Sequence, residues 1–526
     1  MCGCCRNTSW VASSVLRATF ILCVCATALA AHLVLHPFRK TGPAPRATPN
    51  EVPVTWEDAA LRSLEVPLAD HKASPQFAPA SYYYSIPVRT IYKSYPVYRP
   101  DKEPPGYLET LKQREPGLVF AVSRLHSREN WIRAGKTVFE AAIDYDPKMF
   151  MTLADVRDMN WYRKLQVPVT KEGVMPFARY VIRQKGKVEL GVGSCATCHL
   201  RVMPDGSVIE GAQGNMPYDR VAAHALRTRY AEAAEPQAFL QEAEHERRLA
   251  LGVPWLSPDP LAGLEQMPLD QLASLHEAIP PGVAVRVNTS LDFPPQIPDL
   301  IGVRERRYLD HTGLIRQRSI GDLMRYAALV QGGVRFERFL DFAVLPELPD
   351  PSTQWRYSDA QLYALALSLE SLEPPPNPNH FDSQAARGER VFRKEGCANC
   401  HTPPLYTNNK LTLAEGFHPP ARDLKRYDVL PVSVGTDPGL ALRTREGTGY
   451  YKVPSLKGAW YRGPFGHDGS VATLEDWLDP RRMRDDYVPT GFRAQRVKPQ
   501  AVRGHPFGLD LTPQERDDLI AFLKTL

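Results

Sequence analysis

Apolar residues recur at helical spacing in four stretches of the chain, and the four fall into two pairs. The first member of each pair carries Gly-x-x-Val-Phe: Gly135-Lys-Thr-Val-Phe139 inside a pattern from Glu129 to Ala142, and Gly388-Glu-Arg-Val-Phe392 inside one from Ser383 to Arg393. The second members open at Ser358-Asp-Ala-Gln361 and Thr512-Pro-Gln-Glu515. Each opening offers a Ser or Thr N-cap with Gln or Glu three residues on, which satisfies two otherwise orphaned backbone N–H groups reciprocally. Pro513 stands at the first helical position, where its missing N–H does no harm. Leu362, Leu365, Ala366 and Leu369 then repeat at helical spacing, as do Leu519, Phe522 and Leu523. The pattern predicts two units of one kind, each opened and closed by a helix.

Glu373-Pro-Pro-Pro-Asn-Pro-Asn379 separates the units and is a stiff linker that neither helix nor sheet crosses. The expected organisation is a first unit over 117–373, a Pro-rich linker over 374–379 and a second unit over 380–526. The first unit is enlarged by two insertions, Glu140 to Ser194 and roughly Leu200 to Tyr357, of the kind that build pockets or contacts. The tract 38–116 is rich in Pro and Tyr, including Tyr82-Tyr-Tyr84, and reads as an extended arm or irregular cap. Residues 1–37 hold an almost wholly apolar stretch, Ala18 to Leu35, preceded by Arg6 and Arg17. Its length lies between a secretory signal and a short membrane anchor, and Ala28-Leu-Ala30 offers a cleavage site. Either way the body is expected to be exported, in the periplasm or held at the cytoplasmic membrane.

The chain has 526 residues, enough for two or three domains with sizeable cores. Its 49 prolines are about twice the usual share of roughly 5%, which predicts long ordered loops with helices as the main regular elements: a mainly α fold. A net charge of +5 with no Lys/Arg run excludes nucleic acid as an expected partner. Five of the nine cysteines lie in the first 25 residues, so no disulfide framework is expected in the body.

The other four cysteines form Cys195-Ala-Thr-Cys198-His199 and Cys397-Ala-Asn-Cys400-His401, one in each unit and between its two helices. Cys-x-x-Cys-His is the attachment signature of c-type haem: two thioethers hold the porphyrin and the histidine binds the iron. A redox disulfide or a zinc site could also use such pairs, but zinc would need the two segments to converge and would leave His199 and His401 unexplained. Two covalently bound haem c groups are therefore expected. Helix, haem motif, loops and final helix is the layout of the cytochrome c fold.

The sixth iron position separates an electron carrier from a site open to peroxide or dioxygen. For the second haem the candidates are Met483, His505 and His467. His505 is preferred because the glycines of Gly504-His-Pro-Phe-Gly508, around an aromatic, suit close approach to a macrocycle. For the first haem, Met203, Met216, His224, His311 and Met324 all lie in the insertion, none with a telling context. An open sixth position is the expectation there.

With both motifs placed, the run Tyr450-Tyr-Lys-Val-Pro-Ser-Leu-Lys-Gly-Ala-Trp-Tyr-Arg-Gly-Pro-Phe-Gly-His-Asp-Gly-Ser-Val-Ala-Thr-Leu-Glu475 resembles the bacterial di-haem cytochrome c peroxidase superfamily. That group includes the di-haem enzyme maturing tryptophan tryptophylquinone and the rubber oxygenases. The resemblance is specific over Ser383 to Leu526. It implies that His199 is the proximal ligand of an N-terminal haem where oxidant binds, and His401 that of a C-terminal relay haem. The peroxidases' methionine ligand follows His-Asp-Gly, where this chain has Met483 out of clear register. The rubber-oxygenase branch uses a histidine near the C-terminus, which matches His505. An aromatic relay between the haems is also implied, with Trp355 a candidate. Three functions follow: an oxidoreductase reducing peroxide at the first haem with electrons from an unidentified donor, an oxidase or oxygenase of an organic substrate, or an electron-transfer cytochrome with both irons doubly ligated.

Overall fold

All four expected helices form: α1 (Arg128–Glu140), α2 (Asp359–Glu370), α3 (Ser383–Lys394) and α4 (Pro513–Lys524). The computed structural model describes residues 52–526 apart from 148, 262, 265, 333, 334, 341, 344–347 and 349. Both capping boxes are made, Ser358 with Gln361 and Thr512 with Glu515, while Ser127 caps α1 and Asp382 caps α3. Each such cap stabilises its helix by about 1 kcal/mol.

The helices pack within their pairs, and the two glycines of the repeat mark the crossings. A Cβ on Gly135 would lie 2.0 Å from the Ala364 carbonyl oxygen of α2. A Cβ on Gly388 would lie 1.9 Å from the Asp518 carbonyl oxygen of α4. In each pair the next contact falls four residues further along, on Ser368 and on Phe522. Only a residue without a side chain lets the backbones meet so closely. The Val-Phe that follows buries beside each crossing, with Phe392 edge-on to Phe522 at 5.3 Å. Arg387 spans the second crossing with a bidentate pair to Asp518 at 2.8 and 2.9 Å.

The mainly α expectation needs correction in the first half. Four antiparallel strands, β1 (Ser94–Tyr98), β2 (Asp144–Tyr145), β3 (Val174–Gln184) and β4 (Lys187–Val192), make a sheet of order β1-β3-β4-β2. β3 and β4 join through Lys185-Gly186, with Gly186 at φ +85°. Both faces of β3 are covered from Met175 to Ala178 and from Tyr180 to Ile182. The strand therefore lacks the alternation that announces a half-buried sheet.

Within its described residues, 52–116, the tract read as an arm or cap contributes to the core. Trp56 and Tyr83 stack at 4.4 Å, Phe336 leans on both, and Leu64, Ile86 and Val97 are buried with them. Burying two such aromatics removes far more apolar surface than a loose arm would. This largest cluster continues to Leu369, and a separate one joins Val391, Phe392, Leu478, Leu511, Leu519, Phe522 and Leu523. Residues 373–379 carry neither helix nor strand, and Asn377 ties them to α4 by donating to the Lys524 carbonyl at 2.9 Å. Among the described residues no helix is long and apolar enough to cross a membrane; Ala18–Leu35 lies outside them.

Candidate functional site

The second Cys-x-x-Cys-His follows directly from α3. Gly396, at φ +71°, turns the chain out of the helix into a short 3-10 turn over Cys397–Asn399, and the His401 N–H donates to the Cys397 carbonyl at 2.8 Å. The His401 ring is buried, with Nδ1 3.1 Å from the Pro454 carbonyl and 3.2 Å from that of Tyr406. Carbonyls accept, so Nδ1 carries the proton and Nε2 keeps its lone pair, the tautomer a metal-binding histidine requires. Burial pushes its pKa down, against those carbonyls, and keeps the imidazole neutral.

His505 faces it, with ring centroids 6.2 Å apart. Two imidazoles bound to one metal on opposite sides, at about 2.0–2.1 Å each, put their centroids about 6.2–6.4 Å apart. Trp477 at 5.5 Å and Phe507 at 5.2 Å wall the His505 ring. Burial, then His401 and Arg482, push its pKa down to about 3. The alternatives are engaged elsewhere. The Met483 sulfur accepts from Arg482 at 3.4 Å, and His467 pairs with Asp437 at 2.9 Å while packing on Tyr451 at 4.7 Å.

The first motif forms a single turn, Cys195–His199, hung from the sheet by Thr197, whose hydroxyl donates to the Phe177 carbonyl at 2.9 Å. Gly214 closes against it, its N–H 3.0 Å from the Cys198 carbonyl, where a Cβ would lie 2.0 Å from that oxygen. Gln331 approaches the Cys195 sulfur at 3.5 Å. Burial pushes Cys195 up to about 12 and Cys198 up to about 11, outweighing the opposite pull of Arg89 on the first and of Arg286 on the second. Burial, then Arg286, pushes His199 down to about 4, with the Pro298 carbonyl acting on it the other way. His199 makes no ring contact among the described residues, and its Nδ1 is buried without a well-formed hydrogen bond.

Among the described residues the four motif cysteines are unpaired thiols. Among the described residues the one group of three with metal-ligand spacing is Asp437, His467 and Asp468, so the two cysteine pairs do not converge on a shared ion. Two separate sites, each with paired thiols and a neutral imidazole, suit haem c and leave nothing for a joint zinc site.

Beside the first site lies a buried charged cluster that sequence patterns do not announce. Arg286 pairs with Asp310 and with Glu446, the latter at 2.5 Å; the Tyr326 hydroxyl donates to Asp310, and Asn288 donates to Glu337 at 2.8 Å. Burial pushes Glu446 up to about 8 despite Arg286, and pushes Lys452 down to about 7 with help from Arg306. Asp310 Oδ2, Glu446 Oε2 and Arg286 Nε are buried and have no hydrogen-bond partner among the described residues. Its members are scattered from Arg286 to Lys452, so no local motif joins them. Of the residues considered for the first iron, Met216 and Met324 are wholly buried, and His311 sits 2.8 Å from the Gln296 carbonyl with its pKa held down by burial and Lys452. Met203 packs by Ile209 and Tyr461, and His224 lies on the helix Tyr218–Glu232. Trp355 lies against Arg89, 4.6 Å from its ring centre, and Tyr357, on the Cys195 side of the first site.

No family model matches the chain. Among curated proteins it is 32% identical over 182 residues to the methylamine utilization protein MauG of Methylorubrum extorquens, covering 32% of this chain and 44% of that protein. It is 28% identical to the cytochrome-c peroxidase IdrP1 of Denitromonas iodatirespirans over 167 residues, 28% of this chain and 41% of that one. The chain thus matches less than half the length of these relatives. Among solved structures, the hydrazine synthase of Kuenenia stuttgartiensis aligns at 19% identity with a TM-score of 0.29, over 48% of this chain and 79% of that one. A MauG-like protein associated with microbial copper homeostasis aligns at 22% identity with a TM-score of 0.22, over 32% of this chain and 56% of that one.

Proposed function

Starting from the membership of this chain in the bacterial di-haem cytochrome c peroxidase superfamily, we propose that it is an exported di-haem oxidoreductase. Its N-terminal haem, held by Cys195, Cys198 and His199, meets a small oxidant, and its C-terminal haem, held by Cys397, Cys400, His401 and His505, relays electrons from a redox partner. Haem c iron supplies one-electron chemistry and, where its sixth position is free, a binding place for peroxide or dioxygen. The domain division 117–373, 374–379 and 380–526 is part of this proposal.

The observation that carries the reading is the difference between the two histidines. His401 has His505 opposite it at 6.2 Å, whereas His199 has no ring partner among the described residues. His401 donates its Nδ1 proton to backbone carbonyls, which fixes the ring and raises its strength as a ligand. Next to the first site, Arg286 Nε is a buried donor without a partner among the described residues, able to hydrogen-bond a small oxidant, and Glu446 is a carboxyl that burial keeps protonated near neutral pH. Tyr326 and Asp310 complete a hydrogen-bonded set able to hold or pass a proton. That enclosed polar cluster also favours a second reading, an oxidase or oxygenase that accepts a polar organic substrate.

The test is reaction of the fully reduced holoprotein with hydrogen peroxide and with carbon monoxide. Rapid oxidation of both haems, with carbon monoxide bound to one haem per chain, is expected. No carbon monoxide complex and no reaction with peroxide would leave only an electron carrier, and oxygen uptake dependent on an organic compound would select the second reading.

A further inference from the structure

The geometry points to Arg482 as the positioning residue that holds His505 at the second haem site. This rests on the reading of His505 as that iron's sixth ligand. Arg482 has no solvent exposure and, among the described residues, no carboxylate partner. A guanidinium buried without a counter-ion is costly unless its donors are all used. Three of the four carbonyls they reach lie on one loop, 502–505. Nη1 donates to the Val502 carbonyl at 2.7 Å and to that of Gly504 at 2.8 Å, and Nη2 donates to the carbonyl of His505 itself at 2.7 Å. Nε donates to the Trp477 carbonyl at 2.8 Å, and the guanidinium carbon lies 4.9 Å from the Trp477 ring centre. That tryptophan is one wall of the His505 ring.

The loop needs such a clamp. His505 has φ +48°, a left-handed conformation that costs a non-glycine residue about 1–2 kcal/mol and persists only where its surroundings over-determine it. Its N–H is pinned to the Val434 carbonyl at 2.5 Å, and Gly504 backs onto Gly435, where a Cβ would lie 2.5 Å from the carbonyl carbon. Arg482 pins the other end of the same residue. His401 has its ring fixed by two carbonyls at Nδ1, but His505 Nδ1 is buried and, among the described residues, makes no well-formed hydrogen bond. The direction of the His505 imidazole is therefore set by its backbone and by packing. A planar five-donor group reaches four carbonyls in different directions, and a lysine ammonium cannot reproduce that fork.

The experiment compares Arg482→Gln, Arg482→Lys and His505→Ala in the full-length holoprotein, with haem content as the check on folding. Low-temperature electron paramagnetic resonance and cyanide titration of the oxidised protein are read separately for each haem. With Arg482→Gln, part of the second haem's low-spin signal is expected to become high-spin. Cyanide, competing with a loosened His505, is expected to bind that haem about 10–100-fold more tightly. Arg482→Lys should fall in between and serves if the glutamine variant loses haem. Signals of the first haem should not move, and adding Arg482→Gln to His505→Ala should change the second haem no further. Wild-type spin state and cyanide affinity in both Arg482 variants would overturn the proposal while leaving His505 as ligand. An unchanged second haem in His505→Ala would instead overturn the ligand reading, and the positioning role with it.

Discussion

Replacing Gly388 with alanine sets two effects of opposite sign against each other, and the structure decides between them. In an isolated helix the change is favourable by about 0.8–1.0 kcal/mol. At the crossing of α3 and α4 the new Cβ would stand 1.9 Å from the Asp518 carbonyl oxygen and 2.5 Å from its carbon. To bring even the oxygen contact to 3.0 Å the helices must part by about 1.1 Å, and the obstacle is backbone, which cannot swing aside as a side chain does. Overpacking of this kind costs about 1–3 kcal/mol. Parting the helices also loosens the Phe392–Phe522 pair, 5.3 Å between ring centres, a contact of about 0.5–1.5 kcal/mol beyond its buried area. The net expectation is destabilisation by about 1–3 kcal/mol, seen as a lower thermal midpoint in circular dichroism and at the haem absorption band. Gly135→Ala, 2.0 Å from the Ala364 carbonyl, should behave alike. Stabilisation of either variant by the helix-propensity amount would refute the close crossing.

Other outcomes follow from the same geometry. Replacing both cysteines of one motif by alanine, Cys195 with Cys198 or Cys397 with Cys400, should leave one covalent haem per chain in a haem-stained denaturing gel and mass spectrum; two remaining would overturn the attachment reading. Hydrogen bonding from Arg183 lowers Glu189 to about 2, so its stabilisation is present above the unfolded value near 4.5 and is lost as pH falls from there toward 2. With Arg183 partly exposed, this amounts to about 1–2 kcal/mol, and Glu189→Gln should flatten acid unfolding over that window, as denaturant titrations at several pH values would record. Arg286→Met should leave Asp310 buried without its ion-pair partner, with Glu446 already protonated near neutral pH, and destabilise the protein by about 3–5 kcal/mol. A variant as stable as wild type would show that Asp310 does not depend on Arg286.

The helical frame was legible because capping residues and apolar spacing are local: Ser358 with Gln361 and Thr512 with Glu515 announce the helices they start. The repeated glycines could be read as a repeat, but their reason, a backbone-to-backbone crossing, needs the partner helix. The sheet stayed hidden because β3 is covered on both faces and carries no alternation. Trp56 and Tyr83 sit in a proline-rich tract whose composition signals a loop, while their burial depends on Phe336, far along the chain. Gly504-His-Pro-Phe-Gly508 pointed to His505 through its glycines, but Arg482 was invisible, since nothing local tells a buried clamp from a surface arginine. The cluster of Arg286, Asp310 and Glu446 was likewise beyond reach, because only folding brings those positions together.

The central claim is that the two haem sites differ, with His505 completing the second and the first left able to take an oxidant. Low-temperature electron paramagnetic resonance of the oxidised holoprotein, with His505→Ala and Met483→Ala beside the wild type, tests it most directly. One high-spin and one low-spin haem are expected in the wild type, with the low-spin signal changed by His505→Ala and untouched by Met483→Ala. Two low-spin haems, or a second-haem signal that responds to Met483 alone, would contradict it.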